Sequence, residues 1–215
     1  MGVFVSLGIV ILAMLVQAFL QLTPGLYMLF RHQANGKWRG YFALGAATTI
    51  AVLLMVINYV VFDSTILRWI MVGVLVAYGV FCFFSYYRKG EGTELIISRR
   101  VAKTLTIRTK RAKSSSDAFI LGAMGEFAES IFIIPLMVAT VLGANGIDDY
   151  RLWVLLCYVV AAVIPLLIIE IYYQCDKNLS EIQKIRVKNK NFYRIMIGAC
   201  CLVMAMLMAS VGVLQ

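Results

Sequence analysis

Histidine occurs once in these 215 residues and proline three times, while charged residues make up only 14% of the chain. Each scarcity excludes something. A lone His32, beside Arg31, cannot build a histidine-based soft-metal centre and reads as an interfacial residue. Five cysteines (Cys82, Cys157, Cys175, Cys200, Cys201) form no CxxC and no zinc spacing. Cys200 and Cys201 point about 100° apart on a helix, poorly placed to pair with each other. A soluble domain carries about 25% charged residues, so 14% charged with 62% hydrophobic excludes that class. No Lys or Arg precedes Arg31, and the first apolar run is too long for the h-region of a cleavable signal peptide.

What is present is a series of apolar runs. Six are long enough to cross a hydrocarbon core of about 30 Å, which needs roughly 20 helical residues: Leu7–Phe30, Tyr41–Phe62, Trp69–Tyr87, Ala118–Leu142, Leu152–Tyr173 and Ile195–Leu214. The expected fold is an all-α membrane protein with six transmembrane helices in one domain over residues 1–215. Residues 1–90 form a first half, 91–116 a basic linker and 117–215 a second half. With three spans in each half, the second must run opposite to the first. That is a 3+3 inverted-repeat bundle, and such bundles bind their ligands near mid-membrane between the halves.

The net charge of +9 reports topology. Eighteen of the 20 Lys and Arg residues fall in segments 31–39, 88–113 and 177–194, and only Arg68 and Arg151 lie in the other connections. The positive-inside rule puts the three basic connections in the cytoplasm and both termini outside. The expected setting is multi-pass, in a bacterial or archaeal inner membrane. The basic loops read as contacts for anionic lipid headgroups, not for nucleic acid. The middle connection, with Lys110-Arg111-Ala112-Lys113 and Ser114-Ser115-Ser116, reads as a solvated linker. Ser115, Ser116 and Asp117 are the candidate caps of the fourth span.

Glu126 and Glu129 are the only charges between Ala118 and Ile147. An acidic group at a helix centre in a bilayer costs roughly 2.5–3.5 kcal/mol. Two at i, i+3 share a helix face about 5–6 Å apart and repel each other. At about 1.5 Å per residue from Asp117 the pair lies near mid-depth. Close carboxylates in low dielectric cannot both ionise unless a proton or cation joins them. The pair therefore reads as a proton- and cation-binding site, with Ser130 on the face of Glu126. Gly122 and Gly125 precede it and allow another helix to approach closely. The first span offers a matching stripe, Gln17, Gln21 and Pro24, followed by Gly25. Gln17 and Gln21 read equally well as ligands or as interhelical hydrogen-bonding groups. Pro24 and Pro135 are the expected helix breaks, one in the leading helix of each half, and Pro165 a possible kink in the fifth. Weaker candidates are Glu170, able to snorkel near Tyr172 and Tyr173, and Thr48, Thr49 and Asn58 in the second span. Hydroxyls such as those of Thr48 and Thr49 often bond back to their own helix.

The segment Phe19-Leu20-Gln21-Leu22-Thr23-Pro24-Gly25, with the basic loop and Gly40-Tyr41-Phe42-Ala43-Leu44-Gly45 after it, resembles the start of the lysine-exporter superfamily. The layout of three spans plus three around a long middle loop is similar too. More distantly it resembles the membrane thiol transporters of cytochrome c biogenesis. Those carry cysteines beside the helix prolines, where this chain has Gly25, Ile134 and Leu136, so their redox chemistry is not expected to transfer. The resemblance implies an export carrier for a small cationic or zwitterionic solute, such as an amino acid or metal ion, coupled to protons. No cofactor and no enzymatic activity are expected, and homo-oligomerisation stays open. Two other function classes compete with export: a non-transporting scaffold acting through the basic loop, and a transmembrane thiol carrier.

Overall fold

The computed structural model describes residues 2–20, 22–33, 37–61, 64–87, 99–147, 150–176, 181, 184–185 and 188–213. Among them are eight helices and no strand: α1 (Gly2–Phe19), α2 (Leu22–Gln33), α3 (Arg39–Val60), α4 (Thr65–Tyr87), α5 (Arg99–Arg111), α6 (Ser115–Ala144), α7 (Arg151–Asp176) and α8 (Lys190–Val213). Within α3, α4, α6, α7 and α8 lie five stretches long and apolar enough to cross a membrane. Their outward faces carry large apolar side chains such as Tyr59, Ile66, Phe84, Ile131, Trp153 and Met206. In water such a surface is a liability; against lipid tails it is the expected one.

The first expected span, Leu7–Phe30, is not one helix. It is the pair α1 and α2, bent by about 40° at a break, and the two pieces together are long and apolar enough to cross a membrane. Pro24 explains where the chain breaks. It has no N–H for the Leu20 carbonyl four residues back, and its ring crowds that carbonyl. Leu20 is the last residue before the break, its N–H still bonded to Val16 and Gln17 carbonyls at 3.1 and 3.2 Å. Pro24 itself then sits in the first turn of α2, where no N–H is required. Pro135 does not act this way: α6 runs unbroken through it for 30 residues, and α7 runs unbroken through Pro165. The α6 segment after Pro135 is buried from Leu136 to Ala144, so surrounding helices hold it in line.

The expected linker 91–116 contains helix α5, whose Leu105 and Thr109 are buried. Leu105 joins a cluster with Leu26, Tyr27, Phe30, Phe42 and Leu121. A basic 13-residue segment is a poor helix alone; this buried face holds it. The cap of α6 is Ser114, one residue before the candidates. Ser114 Oγ accepts the Asp117 N–H at 3.1 Å while Asp117 Oδ2 accepts the Ser114 N–H at 3.1 Å, a reciprocal capping box.

Helix α6 is the centre of the molecule, packed against α1, α2, α3, α4, α5 and α7. Glycine sets its closest contact. A Cβ on Gly122 would strike the Phe42 carbonyl of α3, and one on Gly45 would strike the Phe119 carbonyl of α6. Helices α4 and α8 cross in the same manner: a Cβ on Gly79 would lie 3.0 Å from the Gly198 carbonyl, and one on Gly198 3.1 Å from the Gly79 carbonyl. These are small-residue crossings of the kind that let helix backbones approach in lipid.

Gly122→Ala is therefore expected to lower the thermal midpoint of the detergent-solubilised protein by several degrees. Gly73→Ala, where an added Cβ meets nothing within 4 Å, is expected to leave it unchanged or raise it slightly. Equal midpoints for the two variants would contradict the backbone contact between α3 and α6.

Candidate functional site

Glu129 lies 14 residues into α6 and 15 from its end, so it is at the middle of a helix about 45 Å long. Both glutamates are buried, Glu126 at 2% exposure and Glu129 at 4%. They are close enough to interact electrostatically. What the sequence did not reveal is what Glu129 touches. Its Oε1 accepts the backbone N–H of Thr23 at 3.1 Å, across 106 residues of chain. Thr23 is the second residue of α2, so its N–H is one of the four at a helix start that have no partner in their own helix. A carboxylate from α6 thus caps a helix that begins inside the apolar bundle. It also sits at the positive end of the α2 dipole, an arrangement worth up to about 2 kcal/mol when partly buried.

Glycine again permits the approach. A Cβ on Gly125 would come within 2.9 Å of Thr23 Oγ1. The Thr23 side chain and the Glu126 carboxyl face each other. Yet Thr23 Oγ1 and Glu126 Oε2 are both sealed from solvent and neither completes a hydrogen bond of ordinary geometry. Buried polar atoms are nearly always satisfied. Two such atoms side by side mark a polar site whose hydrogen bonding is incomplete.

Two tyrosines complete the surroundings. Tyr158 of α7 is fully buried, donates its hydroxyl to Gln17 Oε1 at 3.2 Å, and lies in the field of Glu126. Tyr78 of α4 lies in the field of Glu129. Neither was singled out by sequence, because a tyrosine in an apolar run reads as one more large ring. Mid-span position was the available signal, since interfacial tyrosines sit at span ends. Gln17 is thus an interhelical hydrogen-bonding residue at the last turn of α1. Gln21 lies outside the described residues, and the break ends the continuous stripe expected of Gln17, Gln21 and Pro24. Pro24, Gly25 and Ser130 are half-buried nearby in sequence.

The weaker candidates lie elsewhere. Thr48 and Thr49 bond back to the Gly45 carbonyl at 3.1 and 2.9 Å. Asn58 Oδ1 accepts both Arg151 Nε and Nη2, at 3.0 and 2.6 Å, near the end of α3 and the start of α7. Asn58 is spent on holding a cation there and lines no site with the glutamates.

Glu170 does not snorkel away. It gathers α2, α3 and α7 into a clamp. Arg31 Nε and Nη2 reach its two oxygens at 2.9 and 3.2 Å, the Tyr27 hydroxyl donates to it at 3.0 Å, Gln174 Nε2 at 3.1 Å, and Arg39 pairs with it as well. The Arg31 guanidinium also lies 4.1 Å from the Tyr173 ring centroid. A bidentate pair with further donors is the form in which a half-buried carboxylate is best held. Helix α2 is therefore fixed by Glu129 at its start and by Glu170 along its last turns.

None of the five cysteines is in a disulfide. Among the described residues no group of three or more His, Cys, Asp or Glu side chains is arranged to hold a metal ion. Comparisons with protein-family models, curated proteins and solved structures returned no match. The chemistry of the site therefore rests on its own geometry.

Two variants test that geometry. Glu129→Gln keeps an oxygen for the Thr23 amide, whereas Glu129→Ala leaves that buried donor bare at a cost of about 1–3 kcal/mol. The Ala variant is expected to unfold at clearly lower temperature than the Gln variant; equal stability would remove the cap from the account. At the clamp, Arg31 is buried and the Arg39 side chain is 48% exposed. Glu170→Ala strands Arg31 and is expected to cost about 3–5 kcal/mol, against at most about 1 kcal/mol for Arg39→Ala. A reversed order in unfolding measurements would contradict the clamp.

Proposed function

We propose that this chain is a secondary transporter that exchanges protons for a small cationic or zwitterionic solute at Glu126 and Glu129. One observation carries the reading: two buried carboxylates at mid-bundle meet the start of a broken helix, with Thr23 Oγ1 and Glu126 Oε2 left unsatisfied. A pair that must share a proton or a cation binds one in place of the other, which is the elementary step of an antiporter. Broken helices whose freed backbone groups face the ligand site are a recurrent device in such carriers.

The proposal includes six spans, α1 and α2 counting as one, arranged as three plus three with inverted orientation. Support comes from the packing partners. Exchanging the halves pairs α1 with α6, α3 with α7 and α4 with α8, all of which touch; it also converts α1 against α7 into α6 against α3, and α1 against α8 into α6 against α4, and these touch too. The reciprocal Gly79 and Gly198 contact is compatible with a two-fold axis through the α4 and α8 crossing. The basic connections are assigned to the cytoplasm and both termini to the outside on the distribution of Lys and Arg. Membership of the lysine-exporter superfamily and an export direction belong to the same proposal.

The test is flux into proteoliposomes under an imposed pH gradient, with lysine, arginine, sodium and manganese as probes and an internal pH dye as readout. Glu126→Gln and Glu129→Gln are each expected to cut probe-dependent proton movement by at least about ten-fold, on the scale of losing one charge-assisted interaction, while the purified variants stay folded. Wild-type flux in both single variants and in the double variant would reject the proposal.

A further inference from the structure

Helix α5 presents a second chemistry, unconnected with the glutamates. Its buried face, Leu105 and Thr109, is turned into the cluster formed with α2, α3 and α6. Thr104 and Thr109 satisfy their hydroxyls on their own helix, at the Arg100 and Leu105 carbonyls. Arg100, Lys103, Lys110 and Arg111 are exposed, as is Lys113 just beyond the helix. Residues 99–113 contain no Asp or Glu. At 3.6 residues per turn, Lys110, Lys103, Arg100 and Arg111 fall within an arc of about 100°. Ile107, 40% exposed, lies inside that arc, on the opposite side of the helix from Leu105.

We propose that this face of α5 docks on the anionic phospholipid headgroups of the membrane in which the bundle sits. Placement and composition both favour lipid over a soluble acidic partner. Helix α5 packs directly on α2 and α6, and Arg108 Nη1 reaches Met124 Sδ of α6 at 3.0 Å, so the helix lies against the wall of the bundle. An isoleucine within a fan of cations suits an interface with charge outside and acyl chains beneath; a purely aqueous polyanion has no use for it. Each Lys or Arg near an anionic leaflet contributes about a five-fold gain in affinity. Four on one arc are enough to hold a short helix against the surface.

The test is hydrogen–deuterium exchange of the full chain in nanodiscs of phosphatidylcholine alone or mixed with phosphatidylglycerol. Amides of residues 99–111 are expected to exchange at least about five-fold more slowly in the mixed lipid, and high salt should erase the difference by screening. A variant carrying Arg100→Gln, Lys103→Gln, Lys110→Gln and Arg111→Gln, with Leu105 intact, should exchange alike in both lipids. Equal wild-type exchange in both lipids, or a lipid effect that persists in the variant or in high salt, would overturn the proposal. So would equal protection by soluble polyaspartate in phosphatidylcholine, which would assign the face to an acidic polypeptide. Because wild type alone decides the lipid and salt arms, a variant that fails to fold leaves the test standing. No arm reads solute flux, so the result is separate from that of the transport reading.

Discussion

Inside an apolar bundle a backbone N–H that leaves its helix must find another acceptor, because no bulk water is at hand to take it. The bond from Thr23 N–H to Glu129 answers that requirement, and much of the architecture follows from it. The break between α1 and α2 exists because Pro24 cannot continue the ladder, and the carboxylate of α6 satisfies the Thr23 amide that the break releases. Glycine at position 125 lets α2 come close enough for this to happen. The same carboxylate that completes the fold is one of the two that make the site chemically unusual.

Helix α2 is held by carboxylates from two different helices, Glu129 of α6 and Glu170 of α7. The two contacts differ in kind. At the start of α2 the partner is a backbone amide in the interior. Along its last turns the partners are two guanidiniums, a phenol and an amide, one of them reaching solvent. A carboxylate held by several donors ties helices together, and the pair facing a helix start is what the transport proposal rests on. The chain thus places a structural acid on α7 and the candidate pair on α6.

Much of this was legible in the sequence, for identifiable reasons. The depth of Glu126 and Glu129 followed from counting along one uninterrupted helix, and α6 is uninterrupted. For Thr48 and Thr49, weaker candidates for the site, the alternative of a hydroxyl bonding back to its own helix is what the structure shows. What escaped reading depends on contacts distant in sequence. Pro24 and Pro135 look alike as residues; at one the helix breaks and a carboxylate 106 residues away receives the freed amide, and at the other packed neighbours hold the helix in line. Tyr158 carried only its mid-span position as a signal, and its role depends on α7 lying across Gln17. Helix α5 hid within a basic segment because a single buried leucine, invisible without its neighbours, anchors it.

The distance of 106 residues between Thr23 and Glu129 also has a meaning in time. A ribosome finishes α1, α2, α3, α4 and α5 before the carboxylate that caps α2 exists. Until residue 129 has been synthesised and inserted, no bond from this chain's α6 can hold the break. The joint between α1 and α2 therefore stays without its α6 partner until that helix has been made.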